Sequence, residues 1–119
     1  MSNNLNPFED FDFDDIFLKL AKTSFYNDND TDLKNVKHYL NSGGPIDACN
    51  FLGNSLLHIA VQKNNIELVK LLLDHSISLN TINANKKTPL QTAAFYKNRF
   101  DVIKILIDAG AKFYQLTPL

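Results

Sequence analysis

One cysteine, one arginine and no apolar run of membrane length are what this chain of 119 residues has little of. Cys49 alone excludes an internal disulfide framework and suits a reducing compartment. A membrane-spanning helix needs roughly 18 consecutive apolar residues, and no stretch approaches that. Met1-Ser2-Asn3-Asn4-Leu5-Asn6 has neither a basic n-region nor a hydrophobic h-region, so no secretory signal is read there. With 12 basic and 13 acidic residues the formal charge is -1, which leaves no clustered basic footprint for nucleic acid. Glycine is scarce as well: the adjacent pair Gly43-Gly44 stands alone, and no glycine-rich phosphate loop exists. The expectation is one cytoplasmic domain of common size, without cofactor, metal site or membrane association.

What the chain does have is an internal echo 33 residues apart. Gly53-Asn54-Ser55-Leu56-Leu57-His58-Ile59-Ala60 lies over Lys86-Lys87-Thr88-Pro89-Leu90-Gln91-Thr92-Ala93, with Ser55 on Thr88, Leu57 on Leu90 and Ala60 on Ala93. Around it the apolar spacing is helical. Residues 1–12 read as a flexible lead-in. From Asp14 a helix is expected, capped by Asp12 or Asp14, with Ile16, Phe17, Leu20 and Ala21 on one face. Asn27-Asp28-Asn29-Asp30 reads as a loop, and Asp32 to Leu40 as a helix with Leu33, Val36, Tyr39 and Leu40 inward, ended by Gly43-Gly44. The next unit is Leu57 to Lys63 followed by Ile66 to Leu73, and the last is Thr88 to Tyr96 followed by Phe100 to Asp108. Asp101 falls 34 residues after Glu67, so one residue is inserted around Lys97-Asn98-Arg99.

Both copies of the echo resemble the ankyrin signature, Gly-x-Thr-Pro-Leu-His-x-Ala, and the likeness extends over about residues 14–114. It implies an all-α ankyrin-repeat solenoid of stacked helix-turn-helix units with short β-hairpin or loop connections. The ankyrin domain would occupy residues 13–119, with repeats at about 13–49, 50–82 and 83–116. Such a unit cannot bury its apolar face alone, so Leu57, Ala60, Val69, Leu72, Leu90, Ala93, Val102 and Leu106 are expected to form a continuous core. His58 matches the signature histidine, which implies a structural tie between adjacent repeats rather than a catalytic or metal role; Gln91 alters that tie in the last unit. Ser76 stands where the family usually has glycine. Phe8 to Phe17 and Phe113-Tyr114-Gln115-Leu116 are expected to cap the two ends, the alternative being self-association through uncovered apolar surface.

The resemblance implies a non-catalytic module that binds a protein partner through its concave hairpin and first-helix face. By register, the contact residues are Cys49, Phe51, Leu52, Asn54, Gln62 and Lys63 in the middle unit. In the last unit they are Ile82, Ala84, Asn85, Lys87, Phe95 and Tyr96. Phe51, Leu52, Phe95 and Tyr96 are large and apolar, as interface hot spots are; the competing reading has Phe95 and Tyr96 covering the inserted turn or packing under the N-terminal segment. The module would be monomeric alone, with no nucleic acid and no membrane as partners. A variant of this reading is a microbial or viral effector that imitates host ankyrin proteins and is delivered into a host cell. An enzyme would need a nucleophile with a base or a carboxylate pair, and Cys49 has no histidine beside it. A nucleic-acid binder would need a stripe through Lys63, Lys86, Lys87 and Lys97. Asn6-Pro7-Phe8 resembles a motif read by EH domains, and Phe13-Asp14-Asp15-Ile16-Phe17 an adaptor-binding motif.

Overall fold

A computed structural model describes residues 12–23 and 28–112, with side chains from residue 16 onward. The expected lead-in before residue 12, the Asn6-Pro7-Phe8 motif and the expected C-terminal cap lie outside the described residues, whereas Phe13 to Phe17 fall within the first helix, where Ile16 is buried and Phe17 half-buried. Among the described residues six helices follow one another: α1 (Asp12–Lys22), α2 (Asn29–Asn41), α3 (Leu56–Gln62), α4 (Ile66–Asp74), α5 (Pro89–Phe95) and α6 (Phe100–Asp108). The chain divides into two compact units, Met1–Pro45 and Ile46–Leu119.

In the first unit α1 packs on α2. Its buried face is narrower than the periodicity suggests: Ile16 and Leu20 are buried, Phe17 is half-buried and Ala21 is exposed. The helix opens at Asp12, so Asp14 lies inside it and is no cap. The loop expected over residues 27–30 is cut short, because α2 already begins at Asn29. Asp28 explains the early start: its carboxylate accepts from the Thr31 amide at 3.0 Å and from the Thr31 hydroxyl at 2.7 Å. Those bonds pull its carboxyl below the usual carboxylate range. Val36 and Tyr39 are buried as expected, while Leu33 and Leu40 are half-buried. Buried Asp32, which periodicity does not mark, accepts from the Thr23 hydroxyl.

In the second unit α3 packs on α4 and α5 on α6, while α3 also packs on α5 and α4 on α6. That is the stacking the apolar pattern demands, and all eight expected core residues are buried. Ser55 and Thr88 cap α3 and α5, each accepting from the amide three residues on, and Pro89 occupies the first turn of α5. Helix ends are closed by one recurring device. Gly43, Asn64, Ser76 and Gly110 take positive φ; the amide of each bonds three residues back, and the next amide reaches five back to the preceding turn. Glycine fits that conformation freely, whereas Ser76 holds it at φ 60 with a Cβ in the way.

The two repeats of this unit are joined by polar ties as well as by the core. Ser55 N–H donates to His58 Nδ1 at 3.1 Å, which makes Nδ1 the unprotonated nitrogen. His58 Nε2–H therefore donates to the Lys87 carbonyl at 2.8 Å, 29 residues away. Burial pushes the imidazole below its ordinary pKa, with the Lys87 carbonyl opposing in part. Gln91 repeats the intrarepeat half of this arrangement, its Oε1 accepting from the Thr88 amide at 3.2 Å.

Two expectations follow from the caps and the tie. Ser76→Gly relieves the left-handed strain and is expected to raise stability by about 1 kcal/mol, or about 4 °C in Tm, read by thermal denaturation. His58 stays neutral when folded, whereas the unfolded chain takes up a proton below about pH 6.5. Its contribution is thus complete above that pH and is lost as the pH falls toward the depressed folded value. His58→Gln, which keeps the capping acceptor, is expected to flatten the stability change between about pH 7.5 and 5.5 in denaturant titrations.

Candidate functional site

The hairpin tips are shaped by two asparagines 33 residues apart. Asn50 Oδ1 accepts from the amides of Leu52 and Asn54 at 3.0 Å each, and Asn83 Oδ1 accepts from those of Asn85 and Lys87 at 3.0 Å each. The main chain closes each turn the same way, Asn50 to Asn54 and Asn83 to Lys87. One antiparallel bridge, Cys49 to Ser55, is what the expected β-hairpin amounts to among the described residues. The tips are also bonded to each other: Ala84 N–H donates to the Leu52 carbonyl at 2.9 Å, and Asn83 Nδ2 to Asn54 Oδ1 at 2.9 Å. Gly53 makes this approach possible, since a Cβ there would lie 3.1 Å from the Ala84 nitrogen.

The inserted residue changes how the first helix of the last repeat ends. α3 closes through Asn64 at φ 54, but α5 runs into Tyr96 in extended conformation, and positive φ is delayed to Asn98. Arg99 then turns back onto α3. Its Nε donates to the Val61 carbonyl at 3.0 Å, its Nη2 to the Gln62 carbonyl at 2.9 Å and its Nη1 to the Lys97 carbonyl at 2.9 Å. A cation thereby sits on the negative end of α3, adding a bond to the Gln62 carbonyl and a further one to the Val61 carbonyl, which already accepts from the Asn64 amide. The guanidinium also lies 5.2 Å from the Tyr96 ring centre, and Phe95 meets Tyr96 edge to face with centres 5.7 Å apart.

Between the end of α3, the Asn83–Lys87 tip and α5 lies a cleft of about 330 Å³, lined by Gln62, Asn83, Asn85, Lys87, Thr92, Phe95 and Tyr96. Of the twelve residues expected from register, it brings together Gln62, Asn85, Lys87, Phe95 and Tyr96. Phe51 and Leu52 stand out on the neighbouring tip, Phe51 being 94% exposed, and Cys49, Ile82 and Ala84 are exposed too. Lys63 is half-buried at the C-cap of α3. Asn54 departs from the expectation: only 7% exposed, it is held under the next tip by Asn83 and serves the scaffold. Phe95, 81% exposed, covers no turn; Tyr96 does contact the inserted turn, through Arg99. Asn83, Thr92 and Arg99 were not marked by register reasoning. The recurrence of asparagine at 50 and 83 was the available signal for Asn83.

The same geometry bears on chemistry. Burial and the nearby Asp47 carboxylate push the Cys49 thiol up, away from an activated thiolate, and its S–H lies 3.7 Å from the Asp47 carbonyl. Among the described residues, no group of three or more His, Cys, Asp or Glu side chains comes close enough to hold a metal ion. Among them too, no helix is long and apolar enough to cross a membrane.

The family model described as "Ankyrin repeats (3 copies)" matches residues 24–116. The chain belongs to the ankyrin-repeat family. The described helices, of which α2 to α6 fall in the matched span, agree with that membership in their stacked pairs and bonded tips. An Arabidopsis thaliana protein named serine/threonine-protein kinase 12 is 33% identical over 94 residues, covering 79% of this chain and 20% of the kinase. A fowlpox virus protein named as ankyrin repeat protein FPV031 is 37% identical over 73 residues, 60% of this chain and 21% of that protein. An Acanthamoeba polyphaga mimivirus protein named as ankyrin repeat protein R96 is 32% identical over 90 residues, 75% of this chain and 9% of its own length. The chain thus spans about a fifth of the first two relatives and less of the third. Ankyrin repeats generally mediate protein–protein interaction, and the family is typically non-catalytic.

Arg99 offers a direct check on the inserted turn. Arg99→Ala removes three bonds to backbone carbonyls and is expected to cost about 2 kcal/mol in denaturant titrations. Arg99→Lys is expected to recover little of it, because an ammonium cannot span two carbonyls as the planar fork does.

Proposed function

We propose that this chain is a non-catalytic interaction module that grips a protein partner through the hairpin tips and first helices of its ankyrin repeats. The observation that carries the reading is the exposure of Phe51, Leu52, Ile82, Phe95 and Tyr96 along those two elements. Large apolar side chains held out beside a cleft are costly to leave in water, and aromatic anchors of this kind supply most of the energy in protein interfaces. The contact set is Phe51, Leu52, Gln62, Ile82, Asn85, Lys87, Phe95 and Tyr96, with Cys49, Lys63 and Ala84 at its edge. The module acts as a monomer in a reducing, cytoplasmic setting, where the Cys49 thiol persists.

Phe51→Ala with Phe95→Ala is expected to weaken capture of the partner by about tenfold or more, read by affinity pull-down against the unaltered chain. Because both side chains are so exposed, stability is expected to stay within about 0.5 kcal/mol of the parent. A large loss of stability would place them in the core and remove the basis of the reading.

A further inference from the structure

The charges of the second unit are sorted by element. Residues 48–66 and 75–100, which make the hairpins and first helices, contain Lys63, Lys86, Lys87, Lys97 and Arg99 and no Asp or Glu. The second helices hold the acids instead: Glu67 and Asp74 on α4, Asp101 and Asp108 on α6, beside Lys70 and Lys104. The exception is Asp47, at the base of the first hairpin beside Cys49, whose carboxylate accepts from the Ser78 amide at 2.8 Å; apart from it, a chain of net charge -1 presents a cationic tip and first-helix side. The cleft repeats the bias on a smaller scale, since Lys87 is the sole charged residue among its seven lining residues.

Donors outnumber acceptors there as well. Gln62 and Asn85 add amides, whereas Asn83 is engaged at both ends of its own amide by the turn and by Asn54. Thr92, 6% exposed, lines the cleft with a buried hydroxyl that has no hydrogen-bond partner. A buried hydroxyl without a partner is costly, and a step between staggered rotamers exchanges it with the methyl group.

We infer that the segment seated on this side is acidic: a stretch of partner polypeptide whose carboxylate side chain enters the cleft beside Lys87 and Thr92, with apolar neighbours covering Phe51 and Phe95. The inference rests on the protein-binding reading above and adds the chemistry of the partner. Polypeptide fits better than a phosphate backbone for two reasons. The guanidinium of Arg99, the group best suited to phosphate, is turned inward onto three carbonyls. The exposed Leu52 and Ile82 also offer apolar area that an acidic peptide with hydrophobic residues can cover and a sugar-phosphate chain does not.

The test uses the full chain and a short fluorescein-labelled peptide alternating Asp with Phe and Leu, set against the same peptide with Asn for Asp, by fluorescence polarisation. The acidic peptide is expected to bind about tenfold tighter at low ionic strength, with the gap closing as salt rises. Lys86→Glu, Lys87→Glu and Lys97→Glu together are expected to erase the preference while circular dichroism stays that of the parent. Thr92→Val, similar in shape but without the hydroxyl, is expected to weaken the acidic peptide about two- to tenfold. Equal affinity for both peptides, or no binding of the acidic one, overturns the inference, and so does tighter binding of single-stranded DNA of matched charge. An unchanged affinity in Thr92→Val overturns the carboxylate's place in the cleft. Phe51→Ala with Phe95→Ala separates the two levels. Loss of both peptides in that variant with no acid preference in the parent leaves the protein-binding reading standing alone, whereas unchanged binding of both overturns that reading itself.

Discussion

The second unit depends on how the base of one hairpin is bonded to the first turn of the helix before it. His58 uses Nδ1 to complete the cap of its own helix and Nε2–H to hold the Lys87 carbonyl of the next repeat. An apolar core alone would let two stacked helix pairs slide, because burial is not directional. A ring with two nitrogens in fixed positions allows one offset between repeats. Once that offset is set, Ala84 meets the Leu52 carbonyl, Asn83 meets Asn54, and Gly53 becomes the residue that lets the tips approach. Each of these satisfies polar groups that the stacking takes from water.

The inserted turn works within that frame. A closure like that at Asn64 would have turned the chain back directly after α5. The extra residue instead prolongs the extended path through Tyr96 and leaves Phe95 and Tyr96 on the surface. It also carries Arg99 to the C-terminal end of α3, where a single guanidinium answers the Val61 and Gln62 carbonyls and supports the Tyr96 ring. The same local change therefore makes the cleft wall and braces it. A braced aromatic wall loses less side-chain entropy on binding than a mobile one.

Much of this was legible in the sequence, and the parts that were not share physical reasons. The echo between Ser55 and Thr88, Leu57 and Leu90, and Ala60 and Ala93 located the caps and the core, because those positions face the same environment in every repeat. Register failed at Asn54 for the converse reason. It aligns with Lys87, but the next tip covers Asn54, while no later tip among the described residues covers Lys87. Composition misread Asn29 and Asp30 as loop because a single cap, Asp28 to Thr31, outweighs poor helix propensity over one turn. Arg99 was unreadable in principle. Two of its three acceptors are backbone carbonyls 37 and 38 residues away, and carbonyls carry no sequence signature.

The tips show how scaffold and surface can occupy the same residues without interfering. At Lys87 the carbonyl accepts from His58 of the preceding repeat and from the Asn83 amide, and its own amide donates to the Asn83 side chain, so its main chain belongs to the repeat-to-repeat tie and to the turn. Its side chain takes no part in these bonds and points to the cleft. The same division holds at Leu52, whose carbonyl is bonded to Ala84 while its side chain stands exposed. Because the fold draws on backbone atoms there, the side chains at those positions can change in charge or size without disturbing the offset between repeats. Asn83 has no such freedom, since its amide shapes the turn and binds Asn54. Under the proposed reading, specificity in the cleft resides in the other lining side chains, Gln62, Asn85, Lys87, Thr92, Phe95 and Tyr96, with Asn83 fixed by the needs of folding.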